Sequence, residues 1–387
     1  MTRFRALSTL AEVPAAQWDA LQGDDHPFLA HAFLAGLEQT GCLHQDWGWT
    51  PHHATLWDGD ALVAAAPGYL KDNSHGEFVF DHAWAEAYQR YGRRYYPKWL
   101  IAVPYSPVAG PRLLAHSPQA RSDLAAQMLA HAKVSGLSSL HLNFLDEADV
   151  AALDAQPAQP QWLAREDVQY HWHNPGHWRT FDDFLADLTH KKRKNIRAER
   201  RQVAQSGVTL RRVEGPDVGA RECAAMYRFY LRTFVDKGNS PALTADFFAH
   251  LVRAMPAHVL LVLAEHDGEA LAGALFLRSR NRLYGRYWGT DVEVAGLHFE
   301  ACYYQGIEYC LQHGIAAFEP GAQGEHKIAR GFAPVTTHSR HWIADSDFAH
   351  VLAPWCAQER EAIRRYRAQV SNHLPFRHVD PPAPPLR

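Results

Sequence analysis

Two Asp-Gly turns set the frame of this chain. Asp58-Gly59 lies between the apolar runs Ala54–Trp57 and Ala61–Leu70, and Asp267-Gly268 between Val259–Glu265 and Ala270–Arg278. Asp-Gly between apolar runs is the strongest short-range hairpin signal, because the tight turn needs residues that tolerate positive φ. The elements after each hairpin follow one order. A third strand comes first (Leu100–Val103; Leu283–Gly289), then a glycine-containing loop with Val108-Ala-Gly110 or Val294-Ala-Gly296. A helix follows and is stopped by glycine (Ser122–Ser135 before Gly136; His298–His313 before Gly314), and then another strand (Ser139–Leu145; Ile315–Phe318). This order predicts an α/β (α+β) protein of two tandem, similar units packed together. Its 387 residues also exceed one ordinary core. The expected boundaries are an N-terminal unit over 1–160, a C-terminal unit over 166–375 and a Pro-rich tail over 376–387, with Ala148–Pro160 as the linker.

The remaining periodicity adds a strand at Phe4–Ser8 and helices at Ala30–Gln39, Ala83–Tyr91, Thr244–Met255 and Trp355–Val370. Asp182–Gln205 reads as one long helix. Arg221–Val235 carries a Tyr227, Tyr230, Leu231, Phe234 stripe that fits a core face. Strands are expected at Val208–Val213 and Thr336–Ile343. With 39 basic and 42 acidic residues, net charge −3, there is no overall basic footprint for nucleic acid, so a polyanion would have to meet a local patch. The five cysteines include no CxxC pair, which fits a reducing cytoplasm. Met1–Leu10 has no continuous apolar run, so no signal peptide is expected, and no apolar stretch approaches the roughly 20 residues of a membrane span.

The densest chemistry lies in Glu319-Pro-Gly-Ala-Gln-Gly-Glu-His-Lys-Ile-Ala-Arg-Gly-Phe332. It brings Glu319, Gln323, Glu325, His326, Lys327 and Arg330 onto a glycine-bent turn after a buried strand. It reads either as an active-site turn at a sheet edge or as a solvated turn with a local ion pair. The loop Asp291–Gly296 leads into a helix at His298. Backbone N–H groups at Ala295, Gly296, Leu297 and His298 could meet a donor phosphate, or the loop is a plain tight turn. In Leu283–Gly289 the alternation puts Tyr284, Arg286 and Trp288 on one face and Tyr287 on the other, which suits a polar ligand or aromatic packing. The run His190–Arg201 places Arg193 and Arg197 in a basic row for phosphates, or on a solvated helix face. His171, His173 and His177 lack a carboxylate or Cys at ligand spacing, so no metal is expected.

Several stretches resemble one family. They are Gly76-Glu-Phe-Val-Phe-Asp81 with Trp84-Ala85, Tyr95-Tyr-Pro-Lys98, Val103-Pro104 through Gly110-Pro-Arg112, Lys191-Lys-Arg-Lys-Asn-Ile-Arg197, and Gly321-Ala-Gln-Gly-Glu-His-Lys327 with Arg330-Gly-Phe332. The second half resembles the GNAT acyltransferase fold. The paired halves resemble the Fem-type aminoacyltransferases, and most of all the FemAB-like family of peptidoglycan biosynthesis/recognition proteins. The resemblance implies an N-acyltransferase that moves an acyl or aminoacyl group from acyl-CoA (such as acetyl-CoA) or aminoacyl-tRNA to an amine, on a small-molecule or peptidyl acceptor. It needs no metal. The loop Asp291–His298 departs from the Gln/Arg-x-x-Gly-x-Gly/Ala spacing of CoA-binding GNAT loops, which leaves both donors open.

Within that reading Glu325 is the base and His326 its competitor. No tyrosine occupies the usual general-acid position after Phe332, so Ser339 or His341 would serve. Lys327 and Arg330 would hold an acidic acceptor or donor phosphates. Trp288, Tyr287, Arg286, Glu77 and Asp81 would line the acceptor, and backbone N–H groups near Trp288–Thr290 would polarise the acyl carbonyl. The competing functions are a non-catalytic receptor for a cell-wall precursor and an RNA-binding module using residues 190–201.

Overall fold

The computed structural model describes residues 2–44, 47–156, 162–322 and 324–377. The chain forms two compact units that interleave along the sequence. Unit 1 comprises Met1–Val168, Asn239–His258 and Thr336–Arg364, and unit 2 comprises Gln169–Gly238, Val259–Val335 and the chain from Arg365 onward. A division near residue 160 therefore misses two segments. The first is the helix Ala245–Ala254, which belongs to unit 1 because Phe247 packs edge-on to Phe33 at 5.5 Å and His250 Nε2 sits 2.8 Å from the carbonyl of Ala32. The second is residues 336–364, whose Ile343, Leu352 and Cys356 share a core with Trp84, Tyr88 and Tyr95.

Unit 1 contains β1 (Arg3–Leu7), β2 (Thr50–Pro51), β3 (His53–Asp58), β4 (Ala61–Ala66), β5 (Gly68–Lys71), β6 (Lys98–Ile101), β7 (Leu114–Ala115) and β8 (Ser139–Leu145). One sheet has the order β1-β3-β4-β7. The Asp58-Gly59 hairpin forms as expected, with Gly59 at φ 59°. Pro67, which has no N–H, ends β4, and β5 then pairs with β6 instead. β6 runs parallel to β8 through the helix Pro118–Val134, which Ser117 caps by accepting from the Ala120 N–H. The segment expected to be a linker is helical over Glu147–Asp154. Asp146 caps it, and Leu153 and Asp149 bury against the unit. Residues 157–161 lie outside the described residues.

Unit 2 holds most of the site. Its strands are β9 (Leu163–His173, from Gln169 on), β10 (Thr209–Glu214), β11 (Val259–His266), β12 (Glu269–Arg278), β13 (Arg282–Thr290) and β14 (Ala317–Glu319), in the order β10-β11-β12-β13-β14-β9. β15 (Ala333–Ile343) begins here and continues in unit 1. β13 and β14 are parallel and joined through a helix, so each unit repeats the same strand–helix–parallel strand crossover.

Three local features depart from the simple pattern. The expected helix over Asp182–Gln205 breaks into Phe181–Asp187 and His190–Gln205, because buried Leu188 is extended and bridges to Phe376. β13 carries a bulge: Leu275 pairs with Tyr287 and Phe276 with Gly285, leaving Arg286 as the extra residue. The alternation expected of Tyr284, Arg286 and Trp288 is therefore interrupted, and Tyr284 is buried. On the helix Ala220–Asp236 the buried face is Ala225, Met226, Phe229 and Tyr230, rotated from the expected stripe. This helix lies so close to β13 that a Cβ on Gly289 would fall 1.9 Å from the carbonyl oxygen of Phe229.

Candidate active site

β14 pairs with β13 only over Ala317–Glu319 against Arg282–Tyr284, although β13 continues to Thr290. Beyond Glu319 the chain turns away at Pro320 and Gly321, and Gly321 has φ 99°. Residues 325–330 then form a short 3-10 turn that ends on Gly331 at φ 88°. β13 itself leads through residues 291–296 into a helix that starts at Leu297, widens to a π turn over Glu300–Tyr304 and continues as Gln305–His313. A π turn inside an α-helix is often found at functional sites.

The two helical starts meet. The ring of Trp288 lies 5.6 Å from that of His298, which lies 5.3 Å from Tyr303 and 6.3 Å from His326. The Tyr303 hydroxyl is 2.8 Å from His326 Nε2. Burial brings the His298 pKa down to about 4. It also lowers that of His326, with help from Lys327 and Arg330. Both imidazoles are thus neutral near pH 7. Lys327 is 2 % exposed and donates to the Gly321 carbonyl at 2.6 Å, and burial lowers its pKa to about 8. The structure therefore gathers His326, Lys327, Trp288 and His298, four of the residues expected from the sequence.

Glu325 points elsewhere in unit 2. It accepts a hydrogen bond from the Tyr366 hydroxyl, which is 2.8 Å from that of Tyr170. It lines a cleft of about 370 Å3 together with Lys192, Ile328, Val370 and Tyr366. Sequence reading missed Tyr303, Tyr366 and Tyr170. Tyr303 lay within an ordinary helix pattern, and nothing local marks Tyr366 or Tyr170 as neighbours of residue 325.

Other expected residues take different places. Arg330 is held by groups of its own chain. Its guanidinium donates to the Tyr304 hydroxyl at 3.0 Å, the His326 carbonyl at 3.0 Å and Glu199 Oε1 at 2.8 Å, and it stacks 3.4 Å over the Phe299 ring. It fixes the turn against the basic helix and the π turn. Tyr287 packs on Tyr230 at 4.8 Å, with the Arg286 guanidinium 5.5 Å from its ring. In the donor loop Ala295 is exposed and Gly296 takes φ 84°, but the Leu297 N–H already donates to Val294, so Leu297 is not an open phosphate donor. Along the basic helix, Arg197 pairs with Asp182 at 2.9 Å and Arg200 with Glu300 and Glu308, while Arg193 has no ion pair among the described residues. Glu319 is buried and pairs with Arg282. Its Oε2 lies 3.9 Å from His171 Nε2 without a hydrogen bond, and burial raises its pKa. Gln323 lies outside the described residues, as does most of the expected tail.

Three expected site residues lie in unit 1, inside a buried polar cluster. Lys98 donates to Glu77 Oε2 at 2.8 Å, Asp81 Oδ2 at 2.5 Å and Ser74 at 3.0 Å, and Tyr95 also donates to Asp81. Glu77 and Asp81 are thus bound to Lys98 rather than presented to a substrate. His341 is buried with its Nδ1 2.6 Å from that of His141 and its Nε2 2.8 Å from Ser339, and burial pushes its pKa well down. It forms part of this cluster, not a solvent-reachable acid. Among the described residues no group of three or more His, Cys, Asp and Glu is placed to hold a metal, and no helix is long and apolar enough to cross a membrane.

The comparisons agree with this architecture. A crystal structure of FemX superposes with a TM-score of 0.53 at 10% identity, covering 88% of this chain and 98% of that one. The C-terminal domain of a protein named as a lysylphosphatidylglycerol synthetase from Agrobacterium fabrum gives 0.54 at 11% identity, covering 90% and 96%. At such identities the likeness is one of fold alone, a mixed α/β architecture as the sequence predicts. No curated protein sequence matches. The family model for FemAB-like proteins, described as peptidoglycan biosynthesis/recognition, matches residues 9–378, and the chain belongs to that family.

Proposed function

We propose that the protein transfers an acyl or aminoacyl group from an activated donor to an amine on a peptidoglycan-type precursor, at the site in unit 2. One observation carries the reading. The turn Gly324–Lys327 holds Glu325 on a ligand-sized cleft and, one residue later, His326 against Tyr303 and His298 at the start of the helix after β13. The cleft side receives the acceptor and the His298 side the activated acyl group. Glu325 takes a proton from the acceptor ammonium. The freed amine attacks the acyl carbon, N–H groups near Trp288–Thr290 stabilise the oxyanion, and the intermediate collapses to the amide as the nitrogen's surplus proton passes to the departing thiolate or ribose oxygen. Residues at Ala295, Gly296, His298 and Arg193 would meet donor phosphates, whether of acyl-CoA or of aminoacyl-tRNA.

His326 is the second candidate base, favoured by its bond to Tyr303 and by its lowered pKa, which keeps the imidazole ready to accept a proton. Calorimetric titration of the purified protein with acetyl-CoA, CoA and an aminoacyl-tRNA tests the donor. Saturable binding of one of them supports the reading. Absence of binding by all three contradicts it.

A further inference from the structure

The cleft beside the 325–330 turn has an apolar floor of Ile328, Ala329 and Val370 and a polar rim that includes Glu325 and Lys192. Its volume, about 370 Å3, suits a small ligand. The rim brings opposite charges to one space without joining them. Among the described residues Lys192 and Glu325 make no ion pair with each other, and the Lys192 ammonium makes no hydrogen bond. Glu325 is half committed. Tyr366, itself held by Tyr170, fixes Oε1, while Oε2 accepts no hydrogen bond from the described residues. A carboxylate oriented through one oxygen and open at the other is built to receive an ammonium, and a lysine with its donors open is built to receive a carboxylate.

We propose that this cleft binds a small zwitterion, with an ammonium on Glu325 and a carboxylate on Lys192. The ligand is a free amino acid or the zwitterionic form of a short peptide. A simple amine leaves Lys192 facing its own charge without a counter-ion, and a simple carboxylate meets Glu325. Both are therefore weaker ligands than a molecule carrying the two charges together. Under the transferase reading the cleft takes the amine-bearing amino-acid end of the acceptor, for which such a zwitterion stands in; that identification rests on the reading, whereas the binding does not.

The test is direct titration, without donor, followed by calorimetry or ligand-observed NMR. The probes are glycine, alanine, lysine and glycylglycine, with ethylamine and acetate as single-charge controls. The expected result is saturable binding of a zwitterion, with both controls at least about tenfold weaker, a gap of about 1.4 kcal/mol. Glu325→Gln and Lys192→Met should each weaken zwitterion binding by a similar factor while keeping the wild-type melting temperature. Binding of glycylglycine but not of the free amino acids identifies the peptide source, and the reverse identifies the free amino acid. Equal binding of ethylamine or acetate, or wild-type affinity in both variants, or no binding of any zwitterion, overturns the proposal. Because no acyl transfer is read, loss of the transferase reading would leave this result unchanged.

Discussion

The hydroxyl of Tyr366 donates to Glu325, joining the long C-terminal helix to the turn that bears the candidate base. A hydrogen bond to a charged group contributes roughly 1.5–3 kcal/mol, and here much of that goes into orientation. Tyr366→Phe is expected to lower kcat by about tenfold with little change in donor affinity. Steady-state kinetics beside donor titration checks this, and unchanged kcat would place Tyr366 outside the machinery.

The two candidate bases separate by their pH profiles. Burial lowers the His326 pKa, so the imidazole is neutral above that lowered value and charged below it. If it is the base, kcat/KM falls only as pH drops through the depressed pKa, and the acid limb disappears in His326→Gln. If Glu325 is the base, Glu325→Gln lowers kcat by roughly 10²–10⁴-fold, while His326→Gln keeps the acid limb.

The Lys98 cluster makes unit 1 sensitive to charge removal. Lys98 is fully buried between Glu77 and Asp81, so Lys98→Met leaves the Asp81 carboxylate, and Glu77 where it is ionised, without a counter-charge. Breaking a buried pair in this way costs roughly 3–5 kcal/mol, read as a lowered unfolding midpoint in denaturant. A midpoint within experimental error of wild type would show that the cluster is dispensable.

Glu77 gives this cluster a signature in pH. Burial raises its pKa to about 7 from 4.5, so the folded state holds a proton that the unfolded state releases. The stability from Glu77 is present below pH 4.5 and is lost as pH rises toward 7. The lowered His141 and His341 act in the opposite sense, losing stability as pH falls below their ordinary 6.5. The comparison between wild type and Glu77→Gln isolates the carboxyl. The melting temperature of the variant relative to wild type should rise between pH 5 and pH 8, and a flat difference would contradict the assignment.

Arg330 should behave as a positioning residue. Its guanidinium reaches Glu199, Tyr304 and the His326 carbonyl, so Arg330→Met should destabilise by roughly 2–4 kcal/mol and lower kcat through the displaced turn. Arg330→Lys should restore little, since an ammonium cannot span three acceptors in one plane. Full recovery by lysine would show that only charge matters there.

Many strands and helices were legible because their signals are local, though the strand Leu163–His173 and the helix Glu147–Asp154 were not. Asp58-Gly59 and Asp267-Gly268 turn where they should, and glycines 136 and 314 stop their helices. What could not be read depends on distant contacts. The Arg286 bulge is set by the register against β12, the break at Leu188 by its bridge to Phe376, and the assignment of residues 245–254 to unit 1 by Phe33 and Ala32. The site was half legible. The glycine-bent turn with Glu325, His326 and Lys327 stood out in composition, but its partners come from remote positions: Tyr303, Tyr366 and Lys192. Charge density also misled. Glu77, Asp81 and Arg330 read as ligand contacts in the sequence, and the fold places each of them, buried, against complementary partners of its own chain.

Amine-dependent consumption of a donor tests the central claim most directly. Acetyl-CoA and an aminoacyl-tRNA are each incubated with an amine acceptor and the protein, and release of thiol or of deacylated tRNA is followed. The account predicts that one donor is consumed only when the amine is present, and that Glu325→Gln slows this by roughly 100-fold or more while donor affinity stays within a few-fold. Consumption of neither donor, or turnover by Glu325→Gln at the wild-type rate, would contradict it.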